Sequence, residues 1–225
     1  MTPMASIDAL RGPSGAFAMV ALDQRESLRT MLEHARGGDP GPADVSAFKV
    51  EAARFLSPFA SAVLLDIETG LGPASQAGAL APGCALIVAG DRICQPRGGV
   101  VSTTGLDRGP FDDPAVAGRA DAFKLLVIWH PDRGTARRAR LVRGFIDACR
   151  TVGRPAVVEG VVRRPPTIRP ERWDHAAAVL AAAHELAAFG PDLYKAEVPT
   201  QGLGTPDEIA EASDRITAAV GCPWC

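Results

Sequence analysis

The chain has 225 residues, 47% hydrophobic and 22% charged, enough apolar content for a full core and the wrong composition for a disordered or fibrous chain. Lys and Arg total 24 against 26 Asp and Glu, a formal charge of -2, and no basic stripe interleaved with aromatics marks a nucleic-acid surface. Residues 1–20 hold no unbroken apolar segment with a cleavage site and no later stretch is long enough for a bilayer, so the sequence predicts a cytoplasmic protein partnered by neither nucleic acid nor membrane.

In chain order, "GAFAMVALD" (15–23) is the first of several short, largely apolar runs of the kind that form buried parallel strands. "QRESLRTMLEHARGG" follows as an amphipathic helix ending in glycines, and "SAFKVEAARFLSP" as another that stops before Pro58. Two more runs, "SAVLLD" (61–66) and "CALIVAGD" (84–91), lead into residues 91–114, which are rich in Gly, Pro, Asp and Arg and read as a long loop at a functional rim. The alternation resumes with "AFKLLVIW" (122–129), the helix "GTARRARLVRGFIDACRTVG", "PAVVEGVV" (155–162), the helix "RWDHAAAVLAAAHELAAFG" and "DLYKAEV" (192–198). The last helix, "TPDEIAEASDRITAAVG", carries a capping box: Thr205 at N-cap, Pro206 at N1 and Glu208 at N3.

Arg137, Arg138, Arg140 and Arg143 are spaced to lie mainly on the solvated outer face of one helix. Five cysteines at irregular positions (Cys84, Cys94, Cys149, Cys222, Cys225) do not make a secreted disulfide framework. "CPWC" has C-x-x-C spacing, but no helix follows to activate the first thiol and no second pair completes a zinc site, so it reads as the first residues of a seventh strand. His34, His175 and His184 fall on helices; His130, at a strand end, is a weak site candidate.

Alternating strands and helices mean a parallel sheet with helices outside, either an open doubly wound sheet or a barrel. No Gly-rich phosphate fingerprint follows the first strand, and polar residues recur at strand C-termini (Asp23, Asp66, Asp91, His130, Arg163), which favours the barrel. The expected fold is therefore α/β, a (β/α)8 TIM barrel in one domain over 1–225. It is incomplete at the C-terminus, with about six βα units and the start of a seventh strand.

Lys124, Glu159 and Lys195 sit at comparable heights on three consecutive strands. Pointing inward they would form a Lys, Glu, Lys cluster, in which desolvation and like charge help an amine lose its proton and act as a nucleophile. The other reading keeps both lysines at the rim, snorkelling, with Glu159 as a structural ion-pair partner. Spacing leaves both open. Asp23, Asp66 and Asp91, each at a strand-to-helix turn, are expected to cap helices.

The motifs "GAFAMVALDQRESLRTML", "FKVEAARFLSPFASAVLLD", "KLLVIW", "VVEGVVRRPP" and "DLYKAEVP" occur in the order found in the class I ketose-phosphate aldolases that include tagatose-bisphosphate aldolase and sulfofructosephosphate aldolase, and the chain resembles that family over almost its whole length. The resemblance implies a (β/α)8 barrel, with Lys195 as the Schiff-base lysine, Glu159 as proton shuttle and Lys124 assisting. Asp23, Gln24 and Arg25 would line the substrate end of the first strand, and Arg163 would contact an anionic or hydroxyl-rich part of the substrate. The implied reaction cleaves a 1-phosphorylated ketose, of the sulfofructose 1-phosphate or tagatose/fructose bisphosphate type, to dihydroxyacetone phosphate and an aldehyde. No metal or other cofactor is expected; the partner is a small-molecule sugar phosphate, with a homo-oligomer possible.

Two departures stand out. Gly160 occupies the place of an expected proline, and relatives continue past "CPWC" through seventh and eighth strands. The unpaired edge predicts a 225-residue chain that is poorly soluble or inactive when expressed alone. A sugar-phosphate binding or sensor protein without turnover, or an inactive aldolase fragment, is the alternative function. A metal-dependent aldolase or isomerase is a third, for which the sequence shows no His and carboxylate cluster of ligand spacing.

Overall fold

The computed structural model describes residues 6–225, so the first five positions of the amino-terminal stretch read above lie outside it. Its strands are β1 (Met19–Leu22), β2 (Ala62–Leu65), β3 (Ala85–Ala89), β4 (Asp91–Cys94), β5 (Thr103–Leu106), β6 (Ala122–Trp129), β7 (Ala156–Val162) and β8 (Leu193–Ala196). Six of these pair in parallel in the order β1-β2-β3-β6-β7-β8. The sheet is curled and open, a partial (β/α)8 barrel, as the alternating sequence predicts. Residues 223–225 run on beside β8: Tyr194 pairs with Trp224 as a parallel bridge, and Ala196 N donates to the Cys225 carbonyl at 2.9 Å.

The helices are α1 (Glu26–Arg36), α2 (Pro42–Leu56), α3 (Gly72–Gln76), α4 (Gly109–Asp112), α5 (Pro114–Arg119), α6 (Thr135–Thr151), α7 (His175–Ala187) and α8 (Pro206–Ala219). The capping box of α8 forms as expected, with Glu208 N donating to Thr205 Oγ1 and Thr205 N to Glu208 Oε2. That helix packs chiefly on α7 rather than on β8, with Ile216 as its buried residue. None of the helices among the described residues is long and apolar enough to cross a membrane.

Period-two alternation along each strand divides the core in two. Odd positions of β2 and β6, with the matching residues of β3, β7 and β8, face the helices: Val63, Leu65, Val88, Phe123, Leu125, Val158 and Tyr194 join the larger cluster. The concave face holds Leu10, Leu64, Ile87, Val157 and Leu193, with alanine at 62, 85, 89 and 122. Those alanines keep the inside of the curl roomy enough for long polar side chains.

Two expectations need correction. Residues 91–114 are not a loop: β4 and β5 pair as an antiparallel hairpin outside the main sheet, and α4 follows. The Gly and Pro content masked it because the β-forming residues come in pieces of four. Helix α2 starts at Pro42, earlier than the apolar pattern suggested, because Gly41 N is held by Asp44 Oδ2 and Pro42 occupies N1.

Candidate active site

Lys124 is the third residue of β6, on the concave side, and only 1% of its side chain is exposed. A bare ammonium there is untenable, and three strands supply its partners. Asp23, just past β1, accepts at 2.6 Å; Glu159 of β7 lies at 3.0 Å; Asp91, at the start of β4, lies at 3.3 Å. Burial by itself lowers the Lys124 pKa, but the three carboxylates outweigh it and raise the value well above that of an ordinary lysine. Asp23 responds in the opposite sense: burial pushes its carboxyl up, and the Lys124 ammonium more than offsets that and holds it below the usual carboxylate range.

Glu159 is shared between two amines. Its Oε2 faces Lys124, and its Oε1 lies 2.7 Å from Nζ of Lys195, its directly paired neighbour on β8. Burial raises the Glu159 carboxyl, yet Lys124 and Lys195 together bring it below the usual range, so it is ionised at neutral pH. Lys195 is 29% exposed and touches one carboxylate rather than three. It opens with Lys124 on a cavity of about 160 Å³ walled by Phe17, Met19 and Ala21 and reached by Cys225. Burial pushes the Cys225 thiol up to about 11, so it stays protonated.

Of the two readings left open by spacing, the inward cluster is the one present for Lys124, Glu159 and Lys195. The aspartates differ from expectation. Asp66 caps the turn after β2 by accepting from Thr69 N at 2.7 Å, whereas Asp23 and Asp91 serve Lys124 instead. Asp91 also accepts from Leu126 N at 2.9 Å and pairs with Arg25 at 3.4 Å, so one buried carboxylate ties β6 to the turn after β1. Arg25 completes that tie by donating to the Asp91 carbonyl at 3.0 Å. Gln24 is exposed and makes no side-chain hydrogen bond among the described residues. Arg163 turns back on its own strand, donating to the Val162 carbonyl at 3.0 Å, and meets neither amine.

Sequence reasoning missed Lys49. It lies on α2 yet is fully buried, pairing with Asp66 and donating to Thr69 Oγ1 at 3.0 Å. Its one legible signal was its place in "SAFKVEAARFL", where a lysine interrupts the buried stripe Val45, Lys49, Ala53. The arginine stripe of α6 also needs correction: Arg138 is buried, forked onto Glu185 of α7 at 2.7 and 2.8 Å, with Trp129 Nε1 on the same carboxylate at 2.7 Å. Among the described residues no group of three or more His, Cys, Asp and Glu is placed as a metal-ligand set; the carboxylates that gather here surround an ammonium.

Gly160 has a local cause. A Cβ there would sit 2.3 Å from the Tyr194 hydroxyl and 3.0 Å from Leu186 Cδ1, so any larger residue, proline included, collides with the tyrosine beside Lys195.

The family model described as DeoC/LacD family aldolase matches residues 17–224. Tagatose 1,6-diphosphate aldolase of Listeria monocytogenes is 29% identical over 207 residues, covering 86% of this chain and 59% of that protein. Tagatose 1,6-diphosphate aldolase 2 of Enterococcus faecalis is 40% identical over 73 residues, 32% of this chain and 22% of that one. The chain thus spans 59% of the length of its Listeria relative. Among solved structures, a fructose-bisphosphate aldolase from Slackia heliotrinireducens superposes with a TM-score of 0.57 at 13% identity, over 96% of this chain and 65% of that one. An HMG-CoA lyase from Brucella melitensis gives 0.51 at 15%, over 90% and 68%. At such identities the structural likeness speaks for the fold alone.

Proposed function

The chain belongs to the DeoC/LacD family of aldolases, and we propose that it carries the reacting lysine of a class I aldolase that cleaves a 1-phosphorylated ketose. The observation that carries this reading is the pair on the concave face: Lys195 Nζ, part-exposed on a cavity, 2.7 Å from a carboxylate held ionised by a second, buried lysine. Glu159 takes the proton from Lys195, and the neutral amine attacks the ketone carbon. The resulting carbinolamine loses its hydroxyl as water, with the proton returned by Glu159, leaving an iminium.

The iminium is the electron sink, so the reading assigns no metal or other cofactor. The bond between C3 and C4 breaks with its electrons moving toward the iminium nitrogen, while Glu159 accepts the C4 hydroxyl proton. The aldehyde leaves. Protonation of the enamine at C3 and hydrolysis of the iminium then free dihydroxyacetone phosphate and restore the Lys195 amine. Lys124 keeps its own proton throughout, orients Glu159 and offsets its charge. The names of the curated relatives make a tagatose-type bisphosphate the first substrate to try, with fructose bisphosphate and sulfofructose 1-phosphate beside it.

The test is reductive trapping. Dihydroxyacetone phosphate with borohydride should leave a covalent adduct at Lys195, located by peptide mass spectrometry. An adduct at another lysine, or none in a protein that still cleaves a ketose phosphate, ends the reading.

A further inference from the structure

A second and larger cavity, about 440 Å³, lies at the C-terminal end of β6, between the β5 hairpin strand and the start of α6. It shares no lining residue with the cavity of Lys124 and Lys195. Its walls carry Arg133, Arg137, His130, Ser102, Thr103 and Thr104, and no carboxylate lines it. Among the described residues neither Arg133 nor Arg137 pairs with an acid, although the chain as a whole is slightly acidic; Asp132, in the same loop, is exposed and stays outside the lining.

Three further features make this a built site rather than two stray arginines. The loop of residues 130–134 is fixed from below: Arg138, buried and satisfied by Glu185, donates to the His130 carbonyl at 3.2 Å and to Thr135 Oγ1 at 3.2 Å. Gly134, at a φ of 84°, then turns the chain into α6, a helix of 17 residues whose first turn has no side-chain cap, and Gly134 and Arg137 line the cavity there. The third feature is the hold on Arg133, whose guanidinium donates to His130 Nε2 at 3.4 Å. Burial and the neighbouring Arg133 hold the imidazole below the ordinary histidine value, so it is neutral at pH 7. Ser102 spends its hydroxyl on the Cys94 carbonyl, whereas those of Thr103 and Thr104 make no hydrogen bond among the described residues.

Cations without acids, hydroxyls without acceptors and an uncapped helix start all lack the same thing, a multiply charged oxyanion. We propose that this cavity binds the phosphate of a phosphorylated small molecule, with Arg133 and Arg137 as the charged pair and the Thr103 and Thr104 hydroxyls as hydrogen-bond donors. Its volume falls within the range for metabolite pockets and exceeds what inorganic phosphate alone would fill.

The experiment is calorimetric titration with inorganic phosphate at constant ionic strength, so that nonspecific screening is held fixed. The full chain should bind one phosphate saturably. Arg133→Gln/Arg137→Gln, both at exposed positions, should weaken that binding about tenfold or more, while Lys195→Met, in the other cavity, should leave it unchanged. Absence of saturable binding, equal affinity in the arginine variant with an unchanged melting curve, or loss in Lys195→Met would each overturn the assignment. Should the double variant melt early, each single arginine variant must still lose affinity for the assignment to hold.

The source of the oxyanion follows from trapping at Lys195. If the arginine variant slows trapping of a ketose bisphosphate but not of dihydroxyacetone phosphate, the cavity holds the far end of the reacting molecule. If it slows neither, the cavity serves a separate phosphorylated ligand. The phosphate titration does not depend on the aldolase reading, so failure of one leaves the other standing.

Discussion

Lys124 and Lys195 stand two strands apart, point to the same side of the sheet and share Glu159, yet their surroundings are opposite. Lys124 is sealed from water and met by three carboxylates; Lys195 is part-exposed and has the remaining oxygen of one. The residue type is the same, so the neighbours decide the role. An ammonium among three carboxylates is a fixed charge, and its permanence keeps Glu159 ionised and oriented. An amine with one carboxylate and an open side can hand over its proton and meet a carbonyl.

The contrast breaks most visibly at Lys195. On the proposed aldolase reading, Lys195→Met should lower turnover of a ketose phosphate by about 10³-fold or more and abolish the borohydride adduct, because Lys124, the other lysine on that cavity, is buried and held by three carboxylates. Stability should change by less than about 1 kcal/mol, since the side chain is part-exposed and its ion pair with Glu159 is one of two. A variant that stays active, or that unfolds along with its loss of activity, would mean that Lys195 is structural and the comparison is wrong.

Lys124→Met should do the reverse and act first on the fold. Removing Lys124 takes the ion-pair partner from Asp23 and leaves the crowded Glu159 and Asp91 with Lys195 and Arg25 alone, a loss of about 3–5 kcal/mol. The pH dependence tells this apart from a simple cavity. In the parent protein Asp23 and Glu159 have depressed carboxyl values, so the stability they contribute is complete above the unfolded carboxylate range, about pH 4, and is lost as pH falls through their folded values. The raised value of Lys124 contributes stability that is complete below about pH 10 and is lost only as pH rises through it. In Lys124→Met the crowded carboxylates hold their protons more tightly, and stability should rise as pH is lowered from 7 toward 5. Urea unfolding at those two pH values decides it: a variant with no gain on acidification contradicts the role given to Lys124.

How far the sequence disclosed this depends on the distance over which each feature is encoded. Strand runs, the α8 capping box and the matched heights of Lys124, Glu159 and Lys195 depend on neighbours in the chain or on simple counting along strands, and were legible. The partners of Lys124 were not, because Asp23 and Asp91 lie 101 and 33 residues away and a strand-end aspartate has the same local signature whether it caps a helix or meets a lysine from another strand. Lys49 and Arg138 failed for a related reason. Helical spacing assigns a charged residue to the solvent face unless a buried acid awaits it, and Asp66 and Glu185 arrive from other elements. The β4–β5 hairpin was hidden by its own Gly and Pro content.

The smallest predicted effect sharpens the Lys195 side alone. Gly160 and Tyr194 sit on the helix-facing side of β7 and β8, each next in the chain to Glu159 or Lys195, so their packing sets the spacing that brings those two groups to 2.7 Å. Gly160→Ala places a methyl group 2.3 Å from the Tyr194 hydroxyl and should cost about 1–3 kcal/mol as the strands part or the ring shifts. Lys195 trapping should slow with it, while Lys124, held by β1 and β4 as well as β7, keeps its carboxylates. The Tyr194 hydroxyl is buried without a partner among the described residues, so Tyr194→Phe by itself should be neutral or stabilising by up to about 1 kcal/mol. Adding it to Gly160→Ala should recover most of the loss in both stability and trapping rate, leaving only the milder contacts with the ring carbon at 3.3 Å and Leu186 at 3.0 Å. Thermal melts and trapping rates of the four proteins complete a double-mutant cycle. If the two substitutions prove additive, the hydroxyl is not what reserves position 160 for glycine, and the spacing of β7 and β8 must be set elsewhere.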